Sequence, residues 1–497
     1  VLTVIIFLPL LAAVVLALLP NTAVCDRVAR WAWLVLTLVE VVLVGVLWAG
    51  YSAPPAGQLA AGQHVAWLPG VGVSYTVGID GLSLPLIALT AVIFTACAAY
   101  AWREQHRPRA QAALFCFLQS MCLGVFAAGD LIVFFVFFDL SIVGMYFSIL
   151  RWGHGQAARS ALKFFLYTFL GSLVMLAGFI GLYVIADPHT FDMAQLARQA
   201  PHGGSGWARG IVLAAIVIGL AIKTPTVPFH TWLPPAHTDA PAVGSAVLAG
   251  VMLKMGTYGF VRIAMPMLPQ AWREWAWILL AVGIVSALYG ALVALAQNNL
   301  KRMIAYTSVN HMGYVLMALG AAGLLSGSTT GRQIAVTGAV VQMVSHGLIT
   351  AALFLLAGVL HDRKGSYSLE DYGGLAEPAP RLAGLMAVAA FASLGIPGFS
   401  GFIAEFQIFT GSIGTAAVTA VALVGILITA ALFLRALQRL LVGPASGRSV
   451  GFTDLRRPEI TAVGLLMALS LFIGVVPRPL NDVIEPAARV VLAQVDR

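Results

Sequence analysis

Four charged side chains and three histidines stand where this 497-residue sequence is otherwise most apolar. Lys223 closes the run IVLAAIVIGLAIK, and Lys254 lies inside GSAVLAGVMLKMGTYGFVRI. Asp139 is embedded in LIVFFVFFDLSIVGMYFSIL, and Glu405 in SGFIAEFQIFTGS. His230, His311 and His346 fall at or within further apolar runs. A charge at the centre of a bilayer costs about 2.5–3.5 kcal/mol on insertion scales, so it is rarely kept without a use. These residue types share acid–base chemistry. Burial disfavours the charged form of a carboxyl or an amine, and an opposite charge nearby restores it. Histidine titrates nearest to neutrality and relays protons. The implied chemistry is movement of protons or ions through a membrane.

Each residue also has a plainer reading. An isolated Asp139 would be neutral and bonded to a neighbouring helix, whereas a lysine from another helix would ionise it. Lys223 has about twelve apolar residues before it and could snorkel to an interface; Lys254 is apolar on both sides and has less freedom to do so. Glu405 could be an end-of-helix carboxyl, and each histidine a satisfied core residue. His237 and Asp239 read as lining a loop or capping the next helix. Glu40, in WAWLVLTLVEVVLVGVLW, has no partner legible in the sequence. Cys25, Cys97, Cys116 and Cys122 have no ligand spacing and read as packing residues, against iron–sulfur or disulfide roles. No two histidines share a helix face with a carboxylate at i, i+3 or i+4, so no metal site is expected.

The elements that must position these groups are transmembrane helices. The chain is 60% hydrophobic and 10% charged, with mean hydropathy +0.92, against roughly 25% charged in soluble domains. The net charge of +8 lacks aromatic interleaving and gives no support to nucleic-acid binding. A span needs about 20 apolar residues. Fourteen runs qualify, beginning with residues 2–19, which read as a first span rather than a signal peptide, and ending with 460–477. Eighteen of the 28 basic residues fall in one set of loops and eight in the other. The positive-inside rule makes the rich side cytoplasmic and places both termini on the periplasmic or outer side. Two spans are interrupted, the seventh at Lys223-Thr224-Pro225-Thr226-Val227-Pro228 and the twelfth at 393–402, SLGIPGFSGF. Proline and glycine break helices, and broken backbone at membrane depth survives only beside protein or water. Matching breaks five spans apart point to two inverted repeats with a pathway at their interface.

The run 223–258, KTPTVPFHTWLPPAHTDAPAVGSAVLAGVMLKMGTY, closely resembles the antiporter-like subunit M of bacterial respiratory complex I, the counterpart of mitochondrially encoded subunit 4. FFVFFDLSIVGMYF (134–147), YGALVALAQNNLKRMIAYTSVNHMGYV (289–315), QMVSHGLITAALFLLAGVL (342–360), EDYGGL (370–375) and LGIPGFSGFIAEF (394–406) extend the resemblance over about residues 75–440. It implies an all-α polytopic membrane protein of fourteen helices. Residues 1–109 would hold helices 1–3, 110–264 the first five-helix repeat, 265–442 the inverted second, and 443–497 the last helix and a tail. It further implies proton translocation in an NADH:quinone oxidoreductase of the bacterial inner membrane, beside L- and N-type neighbours. NADH, FMN, iron–sulfur clusters and quinone would be held by other subunits, with no cofactor here.

Carried over by position, Asp139 and Lys223 resemble the charged pair of the first half-channel, Lys254 the connecting lysine, and Glu405 the acid of the second half-channel. His230, His311 and His346 fall at central polar-axis positions. Where the family usually has Glu, this chain has Asp139, so pairing with Lys223 requires a closer helix approach or a bridging water. The mechanism implied is a relay in which opening of the Asp139–Lys223 pair drives a proton from Lys223 to Lys254 and on to Glu405. A multisubunit Na⁺/H⁺ antiporter subunit, an energy-converting hydrogenase subunit and a passive scaffold are the alternative readings.

Overall fold

The computed structural model describes residues 1–55, 57–104, 106–200 and 206–497, and it is predominantly helical. The helices run α1 (Leu2–Leu18), α2 (Ala23–Ala49), α3 (Ser83–Tyr100), α4 (Pro108–Ala127), α5 (Leu131–Trp152), α6 (Ala157–Ile185), a short α7 (Met193–Gln199) and α8 (Gly206–Lys223). A short α9 (Leu233–Asp239) leads into α10 (Ala242–Val247), α11 (Leu253–Gly259) and α12 (Met265–Met267), which are joined end to end by π-helical turns at Leu248–Met252 and Phe260–Ala264. Then follow α13 (Pro269–Leu295), α14 (Leu300–Gly323), α15 (Thr329–Lys364), α16 (Pro380–Ser393), α17 (Ser400–Thr415), α18 (Leu423–Leu441), α19 (Arg457–Val475) and α20 (Arg478–Val495).

Among the described residues, eleven helical stretches are long and apolar enough to cross a membrane, and α1 and α16 are shorter apolar helices. This is a multi-span membrane protein. The first expected run forms a 17-residue helix. The tenth, α14, carries Thr307, Ser308, Asn310 and His311 within little more than one turn. The twelfth is divided into α16 and α17.

Helices α14 and α15 form the buried centre. Alpha-14 is held against α13 by glycines where the backbones meet. A Cβ on Gly283 would lie 2.3 Å from Met317 N, one on Gly313 2.5 Å from Ala287 N, and one on Gly320 2.5 Å from Leu280 N. Small residues of this kind let membrane helices approach closely where no hydrophobic force draws them together. Alpha-15 has 36 residues, about 54 Å at 1.5 Å per residue, so it outruns a hydrocarbon core of about 30 Å. His346 stands at its midpoint and His361 at one end.

Two outer features were not expected from hydropathy. Strands β1 (Ala60–Leu68) and β2 (Val73–Ile79) form an antiparallel hairpin with Val65 opposite Tyr75. The C-terminal tail folds as α20, whose Leu480, Ile484, Ala488, Val491 and Val495 are buried. That spacing of three and four is one helix face. The Arg332–Asp496 ion pair at 2.7 Å and an Arg273 Nη1 hydrogen bond to the Val495 carbonyl at 2.9 Å tie its end to the bundle.

Candidate functional site

Both predicted breaks are present, and each presents a charged residue to the interior. Alpha-8 ends at Lys223, and the chain turns through residues 224–232 before α9. The freed backbone is satisfied locally. Trp232 Nε1 donates to the Ile222 carbonyl at 2.9 Å, and Val227 N–H donates to Ser286 Oγ at 3.0 Å. In the second break Gly395 has φ +71°, a left-handed conformation that glycine adopts without strain. A Cβ there would lie 2.6 Å from Glu405 Oε2, so the missing side chain also makes room for the carboxylate.

Lys254 is fully buried and follows directly on the first π-helical turn. Such turns open the regular hydrogen-bond ladder and recur at functional positions. Its Nζ donates to the Ala249 carbonyl and lies 2.6 Å from His346 Nδ1. The rings of His346 and His311 meet edge to face with centroids 5.4 Å apart. His311 Nε2 is 3.5 Å from Glu405 Oε1. A small cavity of about 10 Å³ adjoins this pair, lined by His311, Gln342, Ser345, His346 and Glu405 among others; that is about the room one water requires. Lys254, His346, His311 and Glu405 therefore follow one another as titratable groups in the centre of the bundle, with a ring contact rather than a hydrogen bond between the two histidines, since His346 Nε2 and His311 Nδ1 are unpaired.

The first half is wired differently. Lys223 is buried, its Nζ has no hydrogen-bond partner, and it lies 4.6 Å from the centroid of the Phe138 ring. Asp139, the next residue on α5, is half-buried, and its Oδ1 is unpaired. The two charges interact electrostatically across a gap, with the Ser172 hydroxyl beside the carboxylate. His230 is set apart from the central line. It is buried against the rings of Tyr289 and Tyr306, at 5.0 and 6.2 Å, with Nδ1 unpaired.

Sequence reasoning missed three contributors. His237 is wholly buried with neither ring nitrogen paired, and it interacts electrostatically with Lys254 and Lys301. Its place in the HTWLPPAH stretch between prolines made it look like a loop residue. Lys301 reads as one more basic loop residue but is also fully buried. Ser345 neighbours His346 in sequence, and its hydroxyl begins a chain to Ser400 and Ser470, each contact 2.8 Å; isolated serines in apolar helices carry no sequence signal. Glu40 is buried with both carboxyl oxygens unpaired. Cys97, Cys116 and Cys122 are free and buried. Among the described residues, no group of three or more His, Cys, Asp or Glu side chains is arranged to hold a metal.

Comparison with known proteins places this arrangement. Residues 128–431 match the family described as NADH:quinone oxidoreductase/Mrp antiporter, transmembrane. The chain is 37% identical over 504 residues to NADH-quinone oxidoreductase subunit M of Rhodobacter capsulatus, covering 98% of this chain and 95% of the relative. It is 39% identical over 428 residues to F(420)H(2) dehydrogenase subunit M of Methanosarcina mazei, covering 84% of each. A chain in the structure of respiratory complex I from Thermus thermophilus superposes with a TM-score of 0.87 at 30% identity, over 99% of this chain and 100% of that one. The match spans both broken helices and all four charged positions of the site, so the chain is a member of the NADH:quinone oxidoreductase/Mrp antiporter membrane-subunit family.

Proposed function

We propose that this chain is a proton-translocating membrane-arm subunit of an NADH:quinone oxidoreductase, driven by redox chemistry in other subunits. The observation that carries this reading is the succession Lys254–His346–His311–Glu405 within an apolar bundle. Every member is of a residue type that can carry a proton. Lys223 and Asp139 form the switch that loads the line. When Asp139 moves towards Lys223, the ammonium is stabilised; when it moves away, Lys223 yields its proton towards Lys254. Moving one charge against 100 mV costs about 2.3 kcal/mol, within what a charge pair opening in a low-dielectric site supplies.

The same reading takes the chain as fourteen spans with two inverted five-helix repeats. These lie at 110–264 and 265–442, flanked by 1–109 and 443–497. The excess of arginine and lysine on one set of loops supports a cytoplasmic face there and outer-side termini in a bacterial inner membrane. L- and N-type antiporter-like subunits are the proposed neighbours, and NADH, flavin, iron–sulfur clusters and quinone belong to other subunits. His230 is assigned a place beside the first break rather than in the central line.

The test uses the assembled complex in sealed membranes. Lys223→Ala and Glu405→Ala are each expected to lower proton pumping and coupled turnover sharply while assembly persists. Normal proton-to-electron stoichiometry in both variants rejects the relay. The relationship to an F(420)H(2) dehydrogenase subunit raises a second electron donor as an alternative, since this chain supplies the membrane device and not the donor site. Affinity purification in mild detergent with mass spectrometry decides between them by the electron-input subunits recovered.

A further inference from the structure

The central line accounts for passage from Lys254 to Glu405 but not for how a proton reaches Lys254 from the lysine- and arginine-rich face. On that face the structure gathers an unassigned cluster. His154, between α5 and α6, and His361, near the end of α15, have ring centroids 4.2 Å apart, and Tyr367 stacks on His361 at 4.7 Å. Both histidines are partly open to solvent, and Asp362 beside them is exposed. Lys301 Nζ lies 4.9 Å from the centroid of the Tyr367 ring and donates to the Ala240 carbonyl at 2.5 Å. It interacts electrostatically with Asp362 and Asp239 on one side and with His237 on the other.

His237 continues the sequence inward. Its ring stacks on Phe354 of α15 at 4.4 Å. Along α15, His361, Phe354 and His346 are separated by seven and eight residues, roughly 10 and 12 Å of rise. His237 therefore stands about midway between the rim histidines and His346. Both its nitrogens are buried and unpaired, although buried polar groups in native proteins are nearly always hydrogen-bonded. Packing uses the face of this ring and leaves its two nitrogens free for a transient partner.

Resting on the proton-translocating reading above, we propose that His154, His361, Lys301 and His237 form a proton inlet that feeds Lys254 directly, beside the loading step at Lys223. The rim histidines and the exposed Asp362 collect the proton from the aqueous face. His154, in the loop outside the membrane, is held neutral because burial, and then the neighbouring Lys301 and His361, lower its pKa to about 3. A neutral imidazole accepts at one nitrogen as it releases from the other, so it serves as a relay rather than a store. Lys301 passes the proton to His237 Nδ1 or Nε2. His237 gives up a proton from its opposite nitrogen to Lys254 when that amine is unprotonated; the proton count is conserved, and His237 is left as the other tautomer, which a turn of the ring resets.

His237→Phe keeps the stacked ring and removes both nitrogens, so a structural role predicts no loss. It is tested in the assembled complex beside Lys254→Ala, with assembly checked by native electrophoresis and electron transfer to an artificial acceptor. The expected result is a drop in coupled proton pumping of roughly tenfold or more in both variants, as for loss of a placed proton-transfer group. A His154→Ala/His361→Ala double variant should lose pumping and regain part of it with added imidazole; loss without rescue overturns the rim's role. Pumping lost in Lys254→Ala but unchanged in His237→Phe overturns the inlet and leaves the translocation reading standing. Pumping unchanged in Lys254→Ala rejects both.

Discussion

The two broken helices are built to the same plan but wired to opposite ends of readiness. At the second break, Glu405 is 3.5 Å from His311, rests over Gly395, and borders a water-sized cavity shared with His346. At the first break, Lys223 faces the Phe138 ring and has no hydrogen-bond partner, and Asp139 is electrostatically near without touching it. From Lys254 to Glu405 the titratable groups follow one another at hydrogen-bond or ring-contact range, whereas Lys223 faces a gap to Asp139. The contrast fits the proposed roles of conduction in the second half and gating in the first. An aspartate has one methylene less than a glutamate with which to reach Lys223.

The most damaging way to break the comparison is to remove its shared element. Lys254→Ala is expected to lower coupled turnover by roughly a hundredfold, the lower end of the range for a positioned proton carrier, measured by quinone-dependent NADH oxidation in sealed vesicles. Asp139→Glu should come next in size and sharpen the comparison. Its longer side chain closes the gap to Lys223, so the rate of pumping changes by a few-fold while Asp139→Ala lowers it; identical rates for the wild type and both variants would remove Asp139 from the gate. Gly395→Ala puts a side chain into the left-handed region, costing about 1–2 kcal/mol, and pushes on Glu405. It should impair the second half alone, seen as slowed proton release with Lys223-dependent steps intact. Ser345→Ala removes one hydroxyl contact worth about 1 kcal/mol, and it should lower the thermal midpoint by a few degrees with little effect on pumping.

Much of this was legible in the residues themselves. The breaks announce themselves as Pro225 and Pro228 in one run and Gly395, Pro397 and Gly398 in the other, because those residues cannot continue a helix. Lys254 stands out because its flanks are apolar. What escaped was of two kinds. The first is burial imposed by tertiary packing: Lys301 and His237 lie beside polar or proline-rich sequence, and only the docking of α9 and α14 against α15 encloses them. The second is an amphipathic helix rather than an apolar run. The face of α20 alternates with charged residues and has low hydropathy, so a search for apolar runs passes over it. Whether Asp139 touches Lys223 depended on the separation of α5 from α8, which one-dimensional spacing does not encode.

The central claim is that protons pass along Lys254, His346, His311 and Glu405, and His346 is the residue on which continuity depends. The direct measurement is the proton-to-electron ratio of the assembled complex carrying His346→Phe, reconstituted in tight vesicles, beside the wild type. The account predicts a lowered ratio or a proportionate fall in coupled turnover, with electron transfer to an artificial acceptor preserved. An unchanged ratio at unchanged coupled turnover would contradict it.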